Sequence, residues 1–309
     1  MRLEDRSDAL IRIQPEIEAA LRDGDPVVAL ETTLVAHGFT GQTEGAEVGL
    51  ESERRVRAAG AVPATIGLID GTVRVGLTEE ELMRISAAGD AARKLGPRDL
   101  AACIVQGALG ATTVGATLAI CGMAGIRFMS TGGLGGVHRG FPDPPDVSAD
   151  LGELTRSEVL IVSSGVKSIL DVPATAEALE TLGIPVLGWR TDELPLFYTA
   201  EGGPPVAARV DTAEEVARIA RVHWHELGRR TALLLGRPPT ESLAGVEPLI
   251  DEAVATAARQ GISGQAVTPF VLSFLHERSG GRTTRANSEL IADNAALAAE
   301  VAKAWRDGG

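Results

Sequence analysis

The side chains best suited to covalent chemistry in this chain sit in one stretch, Ser130 to Asp171. It opens with Thr131-Gly132-Gly133-Leu134-Gly135-Gly136-Val137-His138-Arg139-Gly140 and passes Asp146-Val147-Ser148-Ala149-Asp150. The apolar run Val159 to Val162 then leads into Ser163-Ser164-Gly165-Val166-Lys167. Of 29 Lys plus Arg, the lysines are Lys94, Lys167 and Lys303 alone. A chain that uses arginine for nearly every cation has kept an amine at a strand end. Arginine cannot deprotonate at working pH, whereas a desolvated lysine can become a nucleophile. A surface lysine at a strand end is the plainer alternative. Glu31 is the second candidate. It is the one charge within Val27 to Leu34, and a carboxylate inside such a run is costly unless it is paired or has work to do. An exposed strand end is the plainer reading there too.

Other patterns narrow the chemistry. The glycine loop is no dinucleotide fingerprint, because the third glycine of that pattern would fall on His138. Val166 and Ile161 stand where a P-loop has glycines, and Val162 removes a GxSxG elbow around Ser164. His223 and His225, two apart on a helix, face different ways and make a poor metal pair. His37 and His138 are better candidates, each beside glycines in a loop after a strand. Asp143, Asp146 and Asp150 lack zinc spacing, but a hard divalent ion held by one or two carboxylates and water leaves only such a faint trace. An acid, a lone amine, a glycine loop and a carboxylate cluster near strand ends suit Schiff-base chemistry on a small carbonyl-bearing ligand. They do not identify it.

The elements that must position these groups alternate between short apolar strands and helices, which predicts a sheet covered on both faces. Strands are expected at Val27 to Leu34, Ile126 to Ser130, Val159 to Val162, Pro185 to Trp189 and Ala232 to Leu235. Val62 to Ile69 and Thr72 to Leu77 flank Asp70-Gly71, a hairpin signal that makes the sheet mixed. Thr78 and Glu81 form a capping box. Helices are expected from Pro15, from Thr43 to Ala59, at Pro97 to Gln106, within Ala111 to Gly125, and at Val172 to Leu182. A further helix at Thr212 to Leu227 has Asp211 as its cap. Three more helical segments close the chain. Ala87 to Pro97 reads as a polar connection and Glu201 to Pro205 as a surface loop. The expectation is one three-layer α/β/α domain over residues 1–309.

Composition bounds the partners. A net charge of −13 over 309 residues argues against a broad basic surface for nucleic acid or anionic membrane. Cys103 and Cys121 read as core residues of a reducing compartment. With no signal peptide in MRLEDRSDAL and no long apolar span, a cytoplasmic protein is expected.

The segments ALETTLVAHG (Ala29 to Gly38), VPATIGLIDG (Val62 to Gly71), GATTV (Gly110 to Val114) and TGGLGGVHRG (Thr131 to Gly140) then carry a resemblance. So do DVSADL (Asp146 to Leu151), KSILD (Lys167 to Asp171), LPLFY (Leu194 to Tyr198) and the late AN…DNAALAAEVA (Ala286 to Ala302). In this order the set resembles the pseudouridine-5′-phosphate glycosidases of the indigoidine-synthase-A-like fold. The resemblance implies reversible cleavage of the C–C glycosidic bond of pseudouridine 5′-phosphate to uracil and ribose 5-phosphate. It implies Lys167 as the nucleophile that forms an imine at C1′, Glu31 as the acid–base residue, and Asp146 holding Mn2+ largely through water. Lys94, Val114, Ser148, Ala149 and Asp150 are implied in substrate binding, with His138 and Asn287 near the site. A homotrimer is also implied. The sequence departs from the common pattern after His37-Gly38 and after Lys94. A same-fold glycosidase acting on another phosphoribosylated base, or a catalytically idle sugar-phosphate binder, remain the alternatives at this point.

Overall fold

Val28 and Leu30, Phe128, Leu160 and Val162, and Leu233 and Leu235 pack into one apolar layer, while the intervening Ala29, Met129, Ile161 and Leu234 pack into another. Successive strand side chains point to opposite faces, so strands apolar on both faces need cover on both. The structure, a computed structural model, describes residues 10–308 apart from 40, 42, 144, 263, 265 and 266. The N-terminal segment read for a signal peptide and two residues of the loop after Gly38 lie outside the described residues.

Strands β1 (Ile11–Ile13), β2 (Val27–Leu30), β3 (Val62–Ile69), β4 (Thr72–Val75), β5 (Arg93–Leu95) and β6 (Gly110–Thr112) supply one part of the sheet. The other part is β7 (Phe128–Ser130), β8 (Leu160–Ser163), β9 (Val186–Trp189), β10 (Ala208–Val210) and β11 (Leu233–Gly236). The order is β1-β4-β3-β2-β7-β8-β11-β9-β10, with β6 pairing β3 and β5. Neighbours from β3 through β2, β7, β8 and β11 to β10 run parallel; β4 and β6 run antiparallel to β3. One face is covered by the helices Glu44–Ala58, Ala213–Arg221 and Arg282–Asp307, through Val56, Val216, Ala298 and Val301. The other is covered by Val114–Ala124, Ala149–Leu154, Val172–Thr181, Val246–Arg259 and Val267–Ser279, through Leu118, Leu154, Leu179, Ile250 and Val271. This is the expected α/β fold with a central mixed sheet between helical layers.

The hairpin forms as expected, Ile69 pairing Thr72 with Asp70 and Gly71 at φ 49° and 77°. Thr78 and Glu81 make both bonds of the capping box. Cys103 and Cys121 are buried and free. No described helix is long and apolar enough to cross a membrane.

Four expectations need correction. The strand from Val27 ends at Leu30, and a short helix starts at Thr33, so Glu31 follows the strand instead of lying within it. The connection from Ala87 to Pro97 contains β5, and the segment before the small-residue helix contains β6. Each has three residues, β5 held by β6 and β6 by both β5 and β3, so its own sequence carries little strand signal. The helix expected from Pro97 begins as a 3₁₀ turn, with α-helix only from Leu100. Finally, Thr212 is the cap of the Ala213–Arg221 helix, accepting from Glu215 N at 3.2 Å. Asp211 donates its own N–H to the Glu215 carboxylate at 3.1 Å, and the helix passes into a π-turn at Val222–Glu226.

Candidate active site

Three adjacent parallel strands, β2, β7 and β8, end side by side, and the chain just beyond each end carries a functional group. In open parallel sheets ligands bind outside the carboxyl ends of the strands. Glu31 follows β2, Thr131 and the glycine loop follow β7, and Ser164 to Lys167 follow β8. Glu31 is buried, with 4% of its surface exposed. The Thr131 hydroxyl donates to Glu31 Oε1 at 2.5 Å. Burial pushes the Glu31 carboxyl above the usual carboxylate range, against the opposing pull of the Lys167 charge and the Thr131 bond. A carboxyl that keeps its proton nearer neutral pH is suited to donate it.

The glycine loop brings Lys167 to the same place. Leu134 donates to the Gly165 carbonyl and accepts from Lys167 N, both at 3.0 Å, so the loop zips onto the chain leaving β8. A Cβ on Gly133 would lie 2.7 Å from a Phe197 ring carbon, and one on Gly135 would lie 2.5 Å from Asp150 Oδ2. Both glycines are required by closeness. Arg139 then straps the far side of the lysine turn, donating to the carbonyls of Ser168 at 3.1 Å and Leu170 at 3.2 Å. The Arg139 guanidinium also pairs with Asp251 at 2.5 Å.

Two clefts meet at the lysines. The first, about 660 Å³ with its open mouth, is lined by Glu31, Lys167, His37 and Asn287 together with apolar groups such as Leu34 and Leu272. The second, about 1190 Å³, is lined by His138, Asp146, Ser148, Ala149 and Asp150. Lys94 and Lys167 line both. Burial and the charge of Lys167 bring the Lys94 amine down to about 8. An anion beside it would raise it again and gain a charge-assisted bond. The structure therefore joins a largely apolar slot to a polar chamber, with an acid and two amines at the junction.

The residues expected at the site fall into three groups. Glu31, Lys94, Lys167 and Asn287 line the first cleft, and Lys94, Lys167, His138, Asp146, Ser148, Ala149 and Asp150 the second. Val114 lines neither; it is the buried first residue of its helix, while its neighbour Thr113 faces the second cleft. Asp150 already accepts from Gly115 N at 2.8 Å and Gly135 N at 3.0 Å, so it ties the glycine loop to the start of that helix. Ser148 caps the helix Ala149–Leu154. Three contributors escaped the sequence reading: the Thr131 hydroxyl, the Arg139 strap, and Asn294. Asn294 donates from Nδ2 to the Thr131 carbonyl at 3.0 Å and to Ser164 Oγ at 3.1 Å.

Among the described residues no three His, Cys, Asp or Glu side chains converge as a metal cage. A single carboxylate facing a polar chamber fits a hard divalent ion that keeps most of its water. Asp146 is such a group, with its side chain 33% exposed and His138 Nδ1 3.8 Å from Oδ2.

Residues 16–304 match the family described as indigoidine synthase A like protein. A Herpetosiphon aurantiacus protein named pseudouridine-5′-phosphate glycosidase is 47% identical over 94% of this chain and 97% of its own length. The Escherichia coli protein of the same name is 41% identical over 97% of each chain. Among solved structures, the prealnumycin C-glycosynthase AlnA in complex with ribulose 5-phosphate superposes with a TM-score of 0.87. It is 40% identical over 97% of this chain and 98% of AlnA. An indigoidine synthase A-like protein of Thermotoga maritima gives 0.86 at 36% identity, covering 96% of this chain and 97% of that one. The chain belongs to the indigoidine synthase A-like family.

Proposed function

We propose that the protein cleaves, reversibly, the C–C glycosidic bond of pseudouridine 5′-phosphate to give uracil and ribose 5-phosphate. The observation that carries this reading is the meeting of Glu31 and Lys167 on the walls of one cleft at adjacent strand ends. A carbon-linked base has no heteroatom leaving group to protonate, so the ordinary two-carboxylate route to an oxocarbenium ion lacks its usual help. An amine at C1′ supplies an electron sink instead. Lys167 Nζ bonds C1′ as the C1′–O4′ bond breaks, and the ring oxygen takes a proton delivered by Glu31. The Glu31 carboxylate then takes the proton that Nζ loses on bonding and passes it to C5 of the base, and the C1′–C5 bond breaks. Its electron pair restores the C5=C6 double bond of uracil, while the nitrogen lone pair forms the C1′=N iminium. Water then releases ribose 5-phosphate and frees the lysine.

The phosphate is assigned to the polar chamber beside Lys94 and the Ser148-Ala149-Asp150 turn. Asp146 would hold Mn2+ largely through water, and the bound ion would supply positive charge that helps place the substrate. Chelation is then expected to lower turnover while leaving the melting temperature unchanged. A homotrimer in the cytoplasm is the proposed state. The C-glycosynthase name of the AlnA structure favours a second reading of the same site, bond formation from free base and sugar phosphate, which is the same chemistry run backwards.

Incubation with pseudouridine 5′-phosphate should release uracil. Borohydride added with ribose 5-phosphate should leave a secondary amine whose added mass maps to the peptide containing Lys167. Lys167→Arg keeps the charge but offers no free amine, and is expected to be as inactive as Lys167→Ala. An adduct on another residue, or an active Lys167→Arg, would end the covalent assignment.

A further inference from the structure

Arg139 stands near the end of the motif Thr131 to Gly140 but lines neither of the two clefts. The function proposed above gives it no task. Its guanidinium is nonetheless turned toward the chain that carries the nucleophile. Nε donates to the Leu170 carbonyl at 3.2 Å and Nη2 to the Ser168 carbonyl at 3.1 Å. Leu170 N donates to the Lys167 carbonyl at 3.0 Å, so both gripped carbonyls belong to the tight turn that Lys167 opens. Ser168 and Leu170 are 7% and 1% exposed, and a buried carbonyl deprived of its donor is costly.

The geometry calls for arginine. Nε–H and one Nη2–H lie along a single edge of the planar guanidinium and point the same way, so one fork holds two neighbouring carbonyls at a fixed spacing. A lysine ammonium is a point charge on a flexible stem and cannot do this. The remaining nitrogen, Nη1, pairs with Asp251, whose side chain is 68% exposed, and an ion pair that open to water contributes little. The grip on the turn is therefore what the side chain chiefly supplies. The ends of the turn are tied separately, Lys167 N donating to the Leu134 carbonyl at 3.0 Å and Asp171 N to the Val137 carbonyl at 2.9 Å. Glycine-loop carbonyls fix its ends, and Arg139 fixes its middle.

We infer that Arg139 is the positioning residue of the nucleophile: by gripping the Ser168 and Leu170 carbonyls it holds the Lys167 turn in the orientation from which the amine reaches C1′. The inference rests on the function proposed above and deepens it. Arg139 touches no reacting atom, and its contribution is orientation. A nucleophile displaced by about 1 Å can lose about a hundredfold in rate. Imine formation should thus depend on Arg139, while affinity for the sugar phosphate, set in the two clefts, should not. A cavity of about 700 Å³ with its open mouth flanks the strap and is lined by Arg139, Ser168, Leu170 and Glu247. Glu247 and Asp251, one turn apart on the helix Val246–Arg259, both lie close enough to feel the Arg139 charge. Shortening Arg139 therefore opens a space, reachable from solvent, that suits a free guanidinium ion.

The test is the rate at which borohydride traps ribose 5-phosphate on Lys167. Arg139→Ala should slow trapping, and kcat with it, by about ten- to a hundredfold. The Kd for ribitol 5-phosphate, which has no aldehyde and forms no imine, should stay within about threefold of the wild type by calorimetry. Arg139→Lys keeps the charge without the fork and should be slowed at least about fivefold. Millimolar guanidinium chloride should speed trapping by Arg139→Ala at least about fivefold, and ammonium chloride should not. A variant that was merely less stable would be weakened further by guanidinium, not rescued. Wild-type trapping rates in both variants would overturn the inference, as would a loss of affinity as large as the loss of rate. So would slow trapping that guanidinium leaves unchanged. If Arg139→Ala does not fold, the rate of Arg139→Lys still decides. A wild-type protein that traps nothing defeats the proposed function itself, whereas wild-type trapping that Arg139 does not influence defeats the strap alone.

Discussion

Glu31 must hold a proton long enough to give it away, and its surroundings push in both directions. Burial raises its pKa, while Lys167 and the Thr131 hydroxyl lower it. The Thr131 bond favours the charged carboxylate, so deleting it raises the pKa further and keeps the acid form present to higher pH. Thr131→Val, which is close to isosteric, should therefore move the alkaline limb of the kcat profile upward in pH. A limb that stays in place, or moves down, would show that Glu31 is not the acid that sets it. Lys94 answers to the same rules with the opposite sign, because burial disfavours its charge and brings it to about 8. A bound phosphate should reverse this, and removing the amine loses a charge-assisted contact worth roughly 1.5–3 kcal/mol. Lys94→Ala is accordingly expected to weaken ribose 5-phosphate binding by about one to two orders of magnitude, measurable by calorimetry. Unchanged affinity would place the phosphate elsewhere.

At the scale of elements, the site depends on three strand ends held in register by something outside the sheet. Asn294, on the long helix Arg282–Asp307, is fully buried and bonds the chain leaving β7 at Thr131 and the chain leaving β8 at Ser164. Asn294→Leu removes both bonds and leaves a carbonyl and a hydroxyl unpaired, at about 1–3 kcal/mol each. The melting temperature should fall by roughly 5–10 °C, and the pH limb set by Glu31 should shift because Thr131 is no longer braced. A stability loss with no shift in that limb would make Asn294 a core residue only. None of this was legible in the sequence, since the partners lie 163 and 130 residues away. What was legible had local causes. Apolar runs predicted the strands buried on both faces and Asp70-Gly71 the hairpin, and lysine rarity singled out Lys167, which lines both clefts. Elements held by their neighbours were not. Strand β5, which carries Lys94, has three residues and exists because β6 pairs with it. The sequence puts Glu31 inside a strand because the apolar run continues past Leu30 into the short helix at Thr33.

Taken as a whole molecule, the chain carries a net charge of −13 yet places two amines where its two clefts join. An anionic ligand is thus drawn by local charge at short range and not by the overall field. The remaining surface has apolar groups that nothing among the described residues covers. Val105, at the end of the helix Leu100–Val105, is 86% exposed, and Met123, in the helix Val114–Ala124, is 63% exposed. A Cβ built on Gly122, beside Met123, meets nothing within 4 Å, so another surface can come close there. Burying such side chains between copies removes apolar area from water at about 25 cal/mol per Å², which favours the proposed homotrimer. Light scattering at micromolar concentration should then report the mass of three 32.1 kDa chains, and a Val105→Glu, Met123→Glu double variant should report a smaller one with its secondary structure intact. A monomer mass for the wild type would exclude the trimer. A trimer that tolerates both glutamates would move its interface to another face of the molecule.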